Sequence, residues 1–535
     1  MKVIRPTIVT DAILVSSDIP EGAGAAWNAG TTYALGSRVD VSTGTVIDVY
    51  QGLRDGNRLL YSQQFDNAAW HGAGVTRTAD AALAPDGTMT ADKIVEDASN
   101  GIHILGQDIA ASNVTVVYSV YLKAAERTHA FVEISNTVSW SVFIIVDLAA
   151  GQITTMNAPN ADFSNLSSGI VAVGGGWYRC WIKATKAAVN TIVGGYVHPA
   201  NAAGDYAYAG VAGSGVYAWG AQLELGSSVG PYVPTTGAAA LNINNPPAAS
   251  PNWWRKVATT YAAYNAATNY AKDVIVSSAA SHRRYQSLQA GNTGHALTDT
   301  AWWLDIGATN RWAMFDQAKG SLSTVIDQMQ IVLSPGRIDS LVLLDVAGKQ
   351  ATVVVTVGGV VVYNKTQVTA IGGRSIDNWY DWFFAPIGVR TSLLFDDLPS
   401  YRNGVVTVTI EATSDTSAVS VGTLLIGRMF DIGTTLSDAV LGIDDYSKKD
   451  RDQFGVISFV PRAYSDIDSY QVAIQSGRVD DIKSVLTSLR STPTIYIGAN
   501  GLDALITYGI YRSFRINLKL LTGISNCSLD VEGLV

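Results

Sequence analysis

At 535 residues the chain is too long for one hydrophobic core, and 47% hydrophobic residues give several domains enough to bury. Only 15% of residues are charged, and 50 glycines accompany abundant Ala, Ser, Thr and Val, which suits turn-rich β domains with uncharged, hydroxylated surfaces. The net charge of -9, with Lys and Arg scattered, makes non-specific DNA a poor partner, and no apolar run reaches the roughly 18 residues of a membrane span.

Residues 1–25, opening with "MKVIRPTIVTDAILVSSDIPEG", are not a signal peptide, because Pro6, Thr7, Thr10 and Asp11 break the apolar stretch. Synthesis in a cytoplasm and solubility are therefore expected. This extended N-terminal arm lacks periodicity and has little to bury. As a free tail it would be disordered; its Val, Ile and Leu residues favour ordering along a neighbouring molecule.

A pattern is then written twice. Trp27 matches Tyr264, Asn28 matches Asn265, Tyr33 matches Tyr270 and Val39 matches Val276. "YQGL" at Tyr50–Leu53 matches "YQSL" at Tyr285–Leu288, and Gly56-Asn57 matches Gly291-Asn292. The second copy continues to Trp302-Trp303 after nine residues; the first reaches its pair, Trp253-Trp254, only after 195. The simplest account is a small β-module, 26–58 plus 245–261, interrupted by a domain at 59–244 and followed by an uninterrupted module at 262–311. Folded domains are tolerated in exposed loops when their ends lie close together. So small a module must draw its core from aromatics. Because neighbouring side chains on a strand face opposite ways, each Trp-Trp pair puts one indole inward and one outward, where it can stack on a sugar ring.

Residues 59–244 read as a β-sandwich from short alternating runs such as "THAFVEI", "SWSVFIIVDL", "GWYRCWIKA" and "GVYAWGAQLEL". Trp70, Trp177, Tyr178, Trp181 and Trp219 are candidates to face a sugar; Trp177 and Trp181, four apart on a strand, share a face. A second sandwich is expected over 312–434, with "TVVVTVGGVVVYN" turning at Gly358-Gly359. In 435–535, Ile482, Val485, Leu486 and Leu489 recur at helical spacing behind acids and ahead of Pro493, with strand-like runs after them, so a small α+β domain is expected. The fold class is thus mainly β and multidomain.

Enzyme constellations are not found. The six histidines are scattered, and no phosphate loop, dinucleotide fingerprint or Gly-x-Ser-x-Gly elbow occurs. The acid pairs Asp396-Asp397, Asp444-Asp445 and Asp480-Asp481 read as solvated turns rather than a glycosidase pair. "DDYSKKDRDQ" (444–453) reads as an exposed linker or subunit contact. Cys180 and Cys527 allow at most one disulfide and are expected reduced and buried. No enzyme activity, cofactor or metal is expected.

The residues also carry resemblances. "AWNAGTTYALGSRV…YQGL" is similar to the Trp-x-x-Gly-x-x-Tyr-x-x-Gly-x-x-Val pattern of small chitin- and cellulose-binding modules. In the second copy Gly30 becomes Ala267 and Gly36 becomes Asp273, so its turns are expected to differ. "LLYSQQFDNAAW", "GGGWYRCWIKAT" and "YAWGAQLELGSSVGPYVPT" resemble the jelly-roll, carbohydrate-binding-like domains of tailed-phage virion proteins; 312–434 is similar to a galactose-binding-type jelly roll. "KDRDQFGVISFVPRAYSD…LTSLRSTPTIYIG…YGIYRSFRINL…NCSLDVEGL" and "MKVIRPTIVTDA", joined to "YQSLQAGNTGHALTDTAWWLDIGATNRWAMFD", resemble tail-tip or baseplate proteins of long-tailed (siphovirus-like) bacteriophages. The resemblance implies a virion structural protein at the tail tip, in a threefold or sixfold homo-oligomeric setting, bound to other tail proteins and touching bacterial surface glycans. Candidate sugar-binding residues are Trp27, Tyr33, Tyr50, Trp253, Trp254, Tyr264, Tyr270, Tyr285, Trp302 and Trp303 in the modules, and Trp70, Trp177 and Trp219 in the sandwich. The alternatives are a purely structural virion protein and, last, a surface-polysaccharide depolymerase.

Overall fold

The computed structural model describes all residues except 32, 34, 206, 242–245, 372–387, 415, 437–438, 452, 455–456, 500–504, 520–522 and 535. The chain is mainly β and multidomain. It divides into two compact units, one of Met1–Ala23, Ser42–Asp48 and Val257–Val535, the other of Gly24–Val41 and Val49–Lys256. No helix among the described residues is long and apolar enough to cross a membrane.

The second unit is dominated by a sandwich of two six-stranded antiparallel sheets. One runs Gln152–Met156, Ser141–Asp147, His129–Ser135, Ile192–Ala200, Ile104–Ala110, His71–Ala73 in spatial order. The other runs Phe163–Gly174, Trp177–Lys186, Val114–Ala124, Gly215–Leu225, Ala91–Glu96, Val75–Ala82. Alternation sends Val116, Tyr118, Val120 and Leu122 of one sheet, and Ala130, Val132 and Ile134 of the other, into a shared buried core. At its neck Gly56–Asn57 pairs with Ala240–Leu241. Gly56 has φ +108°, and a Cβ there would sit 2.2 Å from the Ala240 carbonyl oxygen, so only glycine fits where the chain enters. The boundary drawn at 244/245 lies outside the described residues.

Each small module is a three-stranded sheet. The second orders Ile275–Ser278, Arg283–Ser287, Trp303–Ala308; the first orders Arg38–Thr43, Val46–Gly52, Trp254–Tyr261, so the strand after the insertion lies beside the strand before it. Leu53 N–H donates to the Trp253 carbonyl oxygen at 2.9 Å, and Leu288 N–H to that of Trp302 at the same 2.9 Å. The expectation that the turns differ holds only in part. Asp273 has φ +68° where Gly36 has +78°, so the turn survives the substitution, because a short polar side chain tolerates the left-handed region and Asp273 Oδ1 accepts from Gln286 Nε2 at 3.0 Å. Gly30 is also left-handed (+83°), whereas Ala267 is not.

The first unit corrects two readings. The N-terminal arm is no tail. Lys2–Thr7 is a strand between Thr423–Asp431 and Thr494–Ile497 inside a ten-stranded sheet, with Val3 and Ile4 fully buried. Pro6 is accommodated because Thr494–Ile497 pairs only with Lys2 and Val3, leaving the missing N–H outside that ladder. Leu14–Ser17 likewise joins a five-stranded sheet beside Gln328–Leu333. Strands of six and four residues are too short to show a period, and their partners lie hundreds of positions away. The second correction concerns the boundary at 434. It does not separate two sheets, since Thr423–Asp431 and the C-terminal strands share the ten-stranded sheet through Lys2–Thr7.

Other features obey local chemistry. Val357 pairs with Val360 across Gly358-Gly359, both left-handed, as a two-residue hairpin turn requires. The helix Val479–Ser488 opens on Asp480 and Asp481 and buries Ile482, Val485 and Leu486. Cys180 and Cys527 are buried and unbonded to each other.

Candidate functional site

The thirteen aromatics singled out by sequence separate into buried and half-buried groups. Trp70, Trp177, Trp219, Trp254, Tyr270 and Trp303 are buried and present no face to a sugar. Trp70 sits in the sandwich core against Phe65 and donates its indole N–H to the Tyr61 carbonyl oxygen at 3.0 Å. Trp177 and Trp219 do belong to the outer face of their sheet, but loops cover them. Trp177 donates to the Leu83 carbonyl oxygen (2.9 Å), Trp219 to Thr90 Oγ1 (3.0 Å), and Tyr232 packs on Trp219. Tyr178 and Trp181 are half-buried, the latter with its indole so close over Gly169 that a Cβ there would lie 2.6 Å away. Each Trp-Trp pair splits as alternation demands: Trp254 and Trp303 are buried, Trp253 and Trp302 half-buried, and Trp302 stacks on His295 at 3.8 Å. Trp27, Tyr33, Tyr50, Tyr264 and Tyr285 are also half-buried. Tyr33 and Tyr264 pack edge-on against Trp254 and Trp303, so module core claims much of their surface.

The acid pairs at 396–397 and 444–445 are held by neighbours. Asp396 lies 3.3 Å from Lys2; Asp397 accepts from Tyr363 and Lys365; Asp444 lies 3.4 Å from Arg512 and Asp445 3.0 Å from Lys449.

An open concavity lies elsewhere, on the outer face of the sheet containing Ile104–Ala110 and Ile192–Ala200. It is a groove of about 610 Å³, within the size range of small-ligand sites. Strand register builds it. Leu105, Val193, Val197, Val132 and Ile134 point to the core, so their neighbours in sequence point out. One outward row across the sheet reads His71, Gly106, Tyr196, Glu133, Phe143. The next reads Asp108, Gly194, Ser135, Ser141. The two glycines hollow the floor. A Cβ on Gly106 would lie 2.1 Å from the Tyr196 ring, and one on Gly194 would lie 2.1 Å from Asp108 Oδ1 and 2.5 Å from that ring. Tyr196 therefore lies flat where larger residues would lift it.

One wall is the loop between His129–Ser135 and Ser141–Asp147, which carries Trp140, 42% exposed, and Val138, 76% exposed. Its shape is imposed from beneath. Asn136 Oδ1 accepts the N–H groups of Val138, Ser139 and Trp140 at 2.9–3.1 Å. Asn136 Nδ2 donates to Asp162 Oδ2 at 2.9 Å, and that oxygen also takes Lys186 Nζ at 2.8 Å, both charges being fully buried. Thr137 is held at φ +65°, an uncommon conformation for a β-branched residue. A loop so over-determined presents its indole preorganised.

The floor is polar and anchored. Tyr196 donates its hydroxyl to Asp108 Oδ1, and His71 Nε2 lies 3.1 Å from Asp108 Oδ2. Burial, and then that bond to the carboxylate, push the Tyr196 phenol far above its ordinary value, so it stays a donor. Glu133 Oε2 lies 2.7 Å from Nε2 of the buried His198. The groove thus combines one exposed indole, hydroxyls of Ser and Thr, and two carboxylates each within 3.1 Å of a histidine nitrogen. Among the described residues no group of three or more His, Cys, Asp or Glu is placed to hold a metal ion. Sequence reasoning missed this site. Its only local signals were the glycines inside strand patterns at 106 and 194, which mark close approach of a neighbour.

The chain matches no protein-family model and no curated protein sequence. Among solved structures, the N-terminal CBM22-1-CBM22-2 tandem domain from Paenibacillus barcinonensis Xyn10C aligns with 70% of this chain and 98% of that one, at 10% identity and a TM-score of 0.20. At that score the likeness carries no argument.

Proposed function

We propose that the chain is a carbohydrate-binding structural component of a bacteriophage tail tip, and that its inserted sandwich takes a short saccharide in the groove between Trp140 and Tyr196. The observation that carries the binding half is a preformed groove with a rigidly held, exposed indole beside hydroxyls and carboxylate acceptors. Sugars need that combination: a flat apolar platform for ring C–H groups and directional partners for hydroxyls. The tail-tip half is supported by the sequence resemblances of the terminal segments. Weak contacts suffice there, because several copies on one particle raise the effective concentration.

The test is a multivalent glycan array probed with the full chain and with Trp140→Ala. The full chain should retain a restricted set of glycans, and Trp140→Ala should weaken retention about tenfold or more, as loss of a central aromatic anchor does. Retention of no glycan at high valency overturns the binding half.

An assembly role is favoured by a second observation. The strands Lys448–Arg451 and Ile457–Val460 form a two-stranded sheet whose residues are all exposed, with Phe454 81% and Phe459 65% exposed beside it and in it. A lone hairpin is marginal in water, and apolar tips of this kind fit contacts with other tail proteins or with copies of this chain. Phe454→Ser with Phe459→Ser should leave glycan retention unchanged while reducing oligomer mass in light scattering. An unchanged mass removes this role from the hairpin.

A further inference from the structure

The groove carries information about which saccharide it admits, and this inference rests on the binding reading above. The acidic and basic side chains that line it among the described residues are Asp108, Glu133 and His71; none of the lining residues is Lys or Arg. The buried His198 lies beside Glu133 on the same outward face of the sheet. Asp108 accepts from Tyr196 and lies 3.1 Å from His71 Nε2, and Glu133 Oε2 lies 2.7 Å from His198 Nε2. The rest of the wall is uncharged: Ser135, Thr137, Ser139, Ser141 and the Trp140 indole.

An incoming anionic sugar would find two carboxylates, the single imidazole of His71 and no guanidinium or ammonium among the lining groups. Like charges brought together at a partly desolvated site oppose binding, and this is how a site rejects a partner without losing contacts to the right one. A neutral sugar instead supplies hydroxyl donors, and hydrogen bonds to charged acceptors are the stronger kind. We infer that the groove selects neutral, hydroxyl-rich saccharides and excludes uronic acid and sulfated ones, with Asp108 and Glu133 as the residues that discriminate. Both are specificity residues: they orient neutral rings by accepting from them and repel carboxylate or sulfate substituents.

The experiment titrates the full chain by calorimetry with oligosaccharides of equal length: neutral gluco- and galacto-oligosaccharides, a polyuronate oligomer and a sulfated oligomer. Each is repeated with Trp140→Ala and with the Asp108→Asn, Glu133→Gln double variant, whose amides preserve shape. A neutral oligomer should bind about tenfold tighter than either anionic one. The double variant should narrow that gap severalfold by improving anionic binding, an effect that simple loss of structure does not produce. An anionic oligomer that binds as tightly as the neutral ones, and loses its affinity in Trp140→Ala, overturns the selectivity while leaving the groove reading in place. Binding that survives Trp140→Ala unchanged, or no binding at all, overturns the groove reading and the selectivity with it.

Discussion

The two small modules are built alike and closed differently. Their internal hydrogen bonds repeat closely. Trp27 N–H donates to Asp40 O at 3.0 Å, as Tyr264 N–H does to Ser277 O at 2.8 Å; Gly36 N–H donates to Gly52 O at 2.9 Å, as Asp273 N–H does to Ser287 O at 2.8 Å. The Tyr33 and Trp254 rings meet at 5.3 Å and 74°, those of Tyr270 and Trp303 at 5.4 Å and 71°. The difference lies in the Gly-Asn dipeptide. Asn292 exchanges two backbone hydrogen bonds with Tyr270, and its link to Trp302 lays Leu297 on the aromatic core. Asn57 pairs instead with Ala240, and its side-chain amide donates to Ala221 and Val233 carbonyl oxygens of the sandwich. The same dipeptide closes one module and opens the other into a guest domain. Accordingly Tyr270 is buried and Tyr33 only half-buried.

The likeness can be tested to breaking at several strengths. The largest effect should come from Trp254→Ala and Trp303→Ala. Each removes a buried indole and should lower its own module's opening free energy by about 3–5 kcal/mol, read by hydrogen exchange over 38–52 and 275–308. A much smaller loss for Trp254→Ala would mean that the interrupted module does not depend on the same core. Next come the phenols. Tyr270→Phe strips the acceptor from Asn265 N–H (2.8 Å) in a buried setting and should cost about 1–1.5 kcal/mol; Tyr33→Phe, facing Asn28 N–H at 2.7 Å but half-exposed, should cost about 0.5 kcal/mol. Equal losses would deny the extra cover given by the 293–301 link. The smallest effect belongs to the turn. Gly36→Asp should cost no more than about 1 kcal/mol, since Asp273 already holds that conformation in the other copy. A larger loss would show that the turns are alike only in angle.

Legibility tracked distance along the chain. The repeat, the paired tryptophans, the Gly358-Gly359 hairpin and the 479–488 helix rest on residues close together, whose spacing carries the period. The groove does not. Its rows draw single residues from five strands between His71 and Tyr196, and nothing in "GQD" or "GGY" tells which strand lies alongside. Trp140 read only as one more residue of a strand run, because the buried Lys186–Asp162–Asn136 chain that sets its loop becomes visible only in space. The covered Trp177 and Trp219 show the converse: the sequence offered both as candidates to face a sugar and could not report the loops over them.

The strand Lys2–Thr7 has a consequence in time. It leaves a ribosome long before one of its two neighbours, Thr494–Ile497, which is translated ~490 residues later. At about 5–20 residues per second, that neighbour arrives after roughly 25 to 100 s. For most of that interval Val3 and Ile4 lack both neighbouring strands, since Thr423–Asp431 is also far downstream, while the inserted sandwich, whose strands lie within 71–225, has everything it needs to fold. The ten-stranded sheet is then finished after the sandwich, and nascent chains stalled short of residue 494 should hold a completed sandwich while that sheet is still incomplete.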